Sequence, residues 1–200
     1  MSMKLTMILS ASALALAACG PKTETANGTD AMANGAAFDA GNAGVAATGT
    51  TAATATPAAT GGQVFANGAA ASDAFEIATS RLALDNSNSA AVKKYANQMI
   101  AAHTASTDKL KATTAGLSPA ITPDPTLNAE QQAQLDGLKT KKGAEFDTAY
   151  IAAQQSGHQQ TLDMLRGYAA TGDVPALKTF ASGLVPTVAA HLNMAKGLKA

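Results

Sequence analysis

Four side chains could do chemistry together in this chain: Glu76, His103, His158 and His191. Three imidazoles and a carboxylate suit Zn, Fe, Mn or Cu when they converge, and the core of a helix bundle is a place where such sites are built. Convergence depends on which helix face each residue occupies. At about 100° per residue, Phe65, Ala69, Ser72, Thr79 and Ala83 form one narrow stripe with Glu76 at its centre, opposite Asn67, Arg81 and Asp85. His103 continues the line of Val92, Ala96, Met99, Ser106 and Leu110. His158 shares a face with Asp147, Ile151, Gln154, Leu162 and Leu165, and His191 with Leu177, Ala181, Leu184, Val188 and Ala195. All three histidines of the chain therefore fall on apolar faces, each of a different segment.

Depth agrees with direction. At about 1.5 Å rise per residue, Glu76 lies roughly 18 Å and His103 roughly 22 Å from the first inter-helix turn. His158 lies roughly 21 Å and His191 roughly 28 Å from the second turn. The four belong to a common middle level. Asp147 sits about three turns from His158, nearer a bundle end, and with inward Tyr150 forms a second tier of polar core residues.

Two arrangements satisfy this pattern. One is a metal site built from Glu76, His103, His158 and His191. The other is a buried polar network, in which Glu76 pairs with histidines and fixes helix register. A ferritin-type di-iron centre is not expected, because its Glu-x-x-His pairs are missing. The residues three before the histidines are Ile100, Gln155 and Val188. No Gly-x-Ser-x-Gly elbow and no glycine-rich phosphate loop occurs either. Tyr95, Tyr150 and Tyr168 read as core aromatics, and Met99, Met164 and Met194 as gap-fillers.

The elements that must position these residues are helices. Apolar positions recur at spacings of three and four over 64–86, 90–114, 144–170 and 174–198, with no strand-like alternation. Asn88 and Ser89 are cap candidates for the second segment. A breaker stretch over 116–125 holds Pro119, Pro123 and Pro125. Asn128 then caps a short helix over 129–142, with Gln131 at the reciprocal position of a capping box. Gly172 ends the third long helix and Asp173 is expected to cap the fourth, with Pro175 in its first turn. Pro186 inside the fourth removes a backbone hydrogen bond, so a kink is expected near 182–186. The expected fold is all-α: a four-helix bundle with a long connection, carrying a short helix, between helices two and three. Short links make each sequential pair a hairpin. The long link permits either a ferritin-like crossover or an up-down-up-down path.

The N-terminus reads as a targeting segment over 1–18. Lys4 gives the positive region, 5–15 the short apolar run, and Ala17 and Ala18 the small residues of a cleavage site. The run is shorter than the roughly 20 apolar residues of a membrane span. Leu16-Ala17-Ala18-Cys19-Gly20 resembles the bacterial lipobox, which implies acylation of Cys19, the only cysteine, and a membrane attachment through it. Several acyl chains anchor durably where one holds weakly. In such proteins aspartate after the cysteine marks inner-membrane retention. Gly20 in its place points to the periplasmic face of the outer membrane. Residues 19–62 are Ala-, Thr- and Gly-rich with few large side chains, and are expected to form a disordered tether spanning roughly 35–40 Å. Residues 63–200 have the length of one domain.

Composition narrows the partners. Lys plus Arg and Asp plus Glu number 14 each, and tryptophan is absent. There is no basic excess or aromatic platform to suit nucleic acid. No protein partner can be read from the chain.

Several stretches resemble a known family: F-A-N-G-A-A-A-S-D-A-F-E-I-A-T-S-R-L from Phe65, V-K-K-Y-A-N-Q-M-I-A-A-H-T from Val92, G-A-E-F-D-T-A-Y-I-A-A-Q-Q-S-G-H-Q from Gly143, and A-L-K-T-F-A-S-G-L-V-P-T-V-A-A-H-L from Ala176. Together they are similar to the bacterial envelope family called domain of unknown function 4142, described as ferritin-like and often as a predicted outer-membrane protein. The resemblance spans about 63–198 and marks Glu76, His103, Phe146, Asp147, Tyr150, His158, Pro186 and His191. The family usually has an acidic residue just before the first histidine, where this chain has Ala102. The resemblance implies fold and envelope location but no activity. The expected function is a lipid-anchored, non-catalytic helical bundle that binds a metal ion or an envelope partner. A metal-dependent redox or stress-protection enzyme and a purely structural module are the alternatives.

Overall fold

The structure is a computed structural model that describes residues 60–200. The signal segment, Cys19 and the expected tether as far as residue 59 lie outside the described residues, whereas Gly61 and Gly62, expected at the end of the tether, belong to the first helix. Five helices and no strand occur among the described residues: α1 (Gly61–Asn86), α2 (Ala90–Ala115), α3 (Ala129–Lys139), α4 (Gly143–Thr171) and α5 (Pro175–Gly197). None is long and apolar enough to cross a membrane.

Local chemistry sets most helix starts. The Thr60 hydroxyl accepts from the Gln63 amide, which begins α1 three residues earlier than the apolar pattern does. Ser89 caps α2 through the Val92 amide. Asn128 and Gln131 form the expected capping box at α3, with bonds of 2.9 and 3.1 Å. Gly143, at the head of α4, has φ +56°, a conformation that glycine adopts without a Cβ clash. Asp173 does not cap α5. Val174 holds that position without a side-chain bond, and Pro175 follows it. Asp173 lies one residue too early and spends its carboxylate elsewhere. It accepts from the Tyr168 hydroxyl at 2.8 Å and the Gly62 amide at 3.3 Å, tying the α4–α5 corner to the first turn of α1. The α5 helix runs on without a break through Pro186.

Helix α1 packs on α2 and α4, and α5 packs on α4 and α2, while α3 lies against α1 and α4. The connection after α2 starts beside the head of α1, where Gln63 bonds the Thr122 carbonyl and Asn67 accepts from the Asp124 amide. It ends at the foot of α1, where Lys142 bonds Asn86. The chain thus travels the length of α1 before α4 begins. Helices α2 and α4 both start at the foot of α1 and run in the same direction.

The core divides into two apolar clusters. One, toward the head of α1, includes Phe65, Leu110, Leu162, Leu165, Leu177 and Phe180. The other, toward its foot, includes Val92, Tyr95, Met99, Phe146, Tyr150 and Ile151. Each fully buried large side chain contributes roughly 1.5–3 kcal/mol of hydrophobic stabilisation. Glu76, His103, Gln154, His158 and His191 are buried as well, and they form a polar layer in this core.

Candidate metal centre

The three histidines come together. One ring nitrogen from each lies within 4.8 Å of the others. The ring centroids form a nearly equilateral triangle with sides of 5.4, 5.5 and 5.7 Å, and the rings stand at 55–82° to one another. Helices α2, α4 and α5 each supply one ring, because each carries its histidine mid-way along an inward apolar stripe.

Neighbouring groups set which nitrogen each ring offers. His103 Nδ1 donates to Asp73 Oδ1 at 2.8 Å. The Thr107 hydroxyl donates to the other Asp73 oxygen at 3.2 Å, so both oxygens are engaged by α2. His158 Nδ1 lies 2.8 Å from the Gln154 carbonyl oxygen. A carbonyl only accepts, so the proton of this ring is on Nδ1. Nε2 of His103, Nε2 of His158 and Nδ1 of His191 are buried with no hydrogen-bond partner. Nε2 of His103 and Nε2 of His158 can offer lone pairs to a cation, and Nδ1 of His191 can do so in the tautomer that carries its proton on Nε2. A carboxylate or carbonyl bound to the far nitrogen of a ligating imidazole is the usual way proteins orient such a ligand.

Glu76 lies beside the trio rather than within it. Its Oε1 is 3.5 Å from His158 Nδ1, the nitrogen already committed to Gln154, and neither carboxyl oxygen has a hydrogen-bond partner. Gly157 makes room for it, since a Cβ there would sit 2.9 Å from Oε1. Asp147 and Tyr150 stay apart from the trio. The Tyr150 hydroxyl bonds Ser80 at 2.8 Å. Asp147 is buried with Oδ1 unpartnered. It lies about 16 Å along α4 from His158 by helical rise.

Burial raises the Glu76 carboxyl from an ordinary 4.5 to about 7, against the pull of His103 and of the Gln154 amide, while Asp73 repulsion adds to the rise. Burial lowers His158 to about 3, with repulsion from His103 adding and the Gln154 carbonyl opposing. His191 falls to about 4, again through burial and then His103. Burial also works against charging His103, but the Asp73 hydrogen bond and the negative charges of Glu76 and Asp73 outweigh it and raise its pKa. Two of the three rings are therefore neutral at neutral pH, and the third holds its proton more tightly than a free imidazole.

The donor set fits a transition metal. Imidazole nitrogens suit Zn, Cu and Fe, whereas Mn prefers oxygen. The inward faces disclosed the three histidines and Glu76. Asp73 and Thr107 did not stand out in the sequence. Their one signal is that Asp73 lies three residues before Glu76, one step off its stripe.

Fold and site together define an all-helical bundle with a buried three-histidine cluster. The chain belongs to the family described as domain of unknown function DUF4142, which it matches over residues 46–198. No curated protein matches the sequence. Among solved structures, "CopM in the Cu(I)-bound form" is similar in fold, with a TM-score of 0.56 at 17% identity, covering 68% of this chain and 93% of that one.

Proposed function

We infer that this protein is a non-catalytic transition-metal-binding bundle of the bacterial envelope, holding Zn or Cu on His103, His158 and His191. The observation that carries the reading is the convergence of three buried imidazoles, one ring nitrogen of each within 4.8 Å of the others, each ring having a buried nitrogen with no hydrogen-bond partner. A network kept only for register would be expected to pair those nitrogens with one another or with Glu76. The fold neighbour was captured with Cu(I), which makes copper the first metal to try. A ferritin-like crossover suits the route of the connection along α1, yet a di-iron centre does not suit the ligands, because Asp73 and Glu76 stand behind the imidazoles. Acylation of Cys19 would hold the bundle on the periplasmic face of the outer membrane.

Metal analysis of the full chain purified from the envelope fraction tests the site. One Zn or Cu per chain is expected, lost in His103→Ala and in His158→Ala. A wild-type chain that takes up neither metal from a buffered solution sinks the reading. The anchor is tested separately: Cys19→Ser should move the protein out of the membrane fraction, and complete retention there would show attachment by another route.

A further inference from the structure

The layer of three histidines has two different sides. Toward the foot of α1 lie Glu76 and Gln154, both buried. Toward the head of α1 lies a cavity of about 30 Å³. His103, His191 and Asp73 form its floor, and Ser106, Thr187 and Val188 stand one turn further along α2 and α5. Helix direction makes this one consistent side. Ser106 follows His103 on a helix running toward the head of α1, and Thr187 precedes His191 on one running away from it. Ser106 is half-buried and Thr187 exposed, so the lining on α2 and α5 extends from the histidine layer to the surface.

The donor count points the same way. Among the described residues three imidazoles converge, one fewer than the four protein ligands of a closed zinc site, and two of these rings, His103 and His191, line the cavity. A water-sized guest needs about 10–15 Å³ of such space, so the cavity accepts one small molecule but not an organic substrate.

Resting on the metal reading above, we propose that the three-histidine centre keeps an open coordination position facing the α2–α5 cavity, and that this position takes a single small oxygen- or nitrogen-donor ligand of the class of water, hydroxide or azide. Structural zinc sites close all four positions with protein, whereas sites that exchange a ligand keep one open. Ser106 and Thr187 supply hydroxyls at the mouth that can hydrogen-bond such a ligand.

The test uses the full chain loaded with Co(II), whose visible spectrum reports the coordination shell, titrated with azide. One azide per cobalt should bind saturably and shift the spectrum. Ser106→Leu fills the cavity without touching a ligand. It should keep cobalt affinity within about threefold and weaken azide at least tenfold, while Ala102→Val, a smaller filling of the same cavity, should weaken azide by a lesser factor. If Ser106→Leu does not fold, Ala102→Val alone decides. Cobalt uptake with no azide response, or an azide affinity unchanged in the filled variants, overturns the open position while leaving the metal site standing. Failure of the wild-type chain to take up cobalt overturns this inference, and failure to take up Zn and Cu as well overturns the metal reading with it.

Discussion

Replacing Glu76 with glutamine should make the metal-free protein's stability less sensitive to pH, in a direction and by an amount set by burial. In the unfolded chain this carboxyl releases its proton near 4.5, whereas in the fold it holds the proton to about 7. Between those values the native state binds more protons than the unfolded one, so stability falls as pH rises, and the loss is complete above 7. The two midpoints correspond to about 3 kcal/mol carried by the charged form. Glutamine keeps the shape and cannot ionise. The stability difference, variant minus wild type, should therefore grow by roughly 2–3 kcal/mol from pH 5 to pH 8. His158 and His191 titrate in both proteins and cancel from that difference to first order. The cancellation is incomplete for His103, because Glu76 is among the charges that raise its pKa, and losing it trims the gain. Urea unfolding of both proteins with a chelator present, followed by far-ultraviolet circular dichroism at several pH values, measures the difference directly. A difference that stays constant from pH 5 to 8 would refute the reasoning, since it would mean that the carboxyl ionises normally inside the fold.

Two further perturbations probe the same neighbourhood. Gly157→Ala brings a methyl to 2.9 Å from Glu76 Oε1. Such overpacking should cost about 1–3 kcal/mol. Most of that cost should vanish in a Glu76→Ala background, and additive urea-unfolding energies would show that the two do not meet. Asp73→Asn keeps a hydrogen-bond partner for His103 but removes the charge. Metal affinity at alkaline pH, read by competition with a coloured chelator, should fall about 10–100-fold. The pH above which affinity stops rising should move down, because His103 then holds its competing proton less tightly. An unmoved levelling point would reduce Asp73 to a packing residue.

The helices were legible because each carries a continuous inward stripe, and their ends were legible only where a cap announces them. Asn128 with Gln131 is such a cap, and the structure makes both bonds. The head of α1 was not, because Gly61 and Gly62 look like tether. Their reason is tertiary: a Cβ on Gly62 would lie 2.7 Å from Val174 and 3.1 Å from Ile121. Asp173 misled for the reverse reason. Its position suits a cap by local rules, yet the Gly62 amide and the Tyr168 hydroxyl, remote or on the other helix of the corner, claim it. The route between α2 and α4 is likewise written in pairs such as Asn67 with Asp124 and Lys142 with Asn86, which no periodicity reveals.

The site divides along the same line. Facing was readable, so His103, His158 and His191 could be placed in one layer before any contact was known. Ring orientation was not. For His103 it depends on Asp73, which lies off the central stripe. For His158 it depends on a backbone carbonyl, which every helical residue possesses. Yet orientation is what separates a metal centre from a buried network. Asp73 and Gln154 each take the Nδ1 proton of a ring, and this leaves Nε2 of both rings buried without a partner, beside a third ring with no partner on Nδ1. Lone pairs gathered in the core repel one another, and none of these nitrogens has a protein hydrogen-bond partner. Register alone could be set by the Asp73–His103 bond without bringing the other two rings to it. What relieves three convergent acceptors is a positive charge between them. The proton that His103 holds above its usual pKa can take that place in the metal-free chain, and the metal ion proposed above would satisfy all three rings at once.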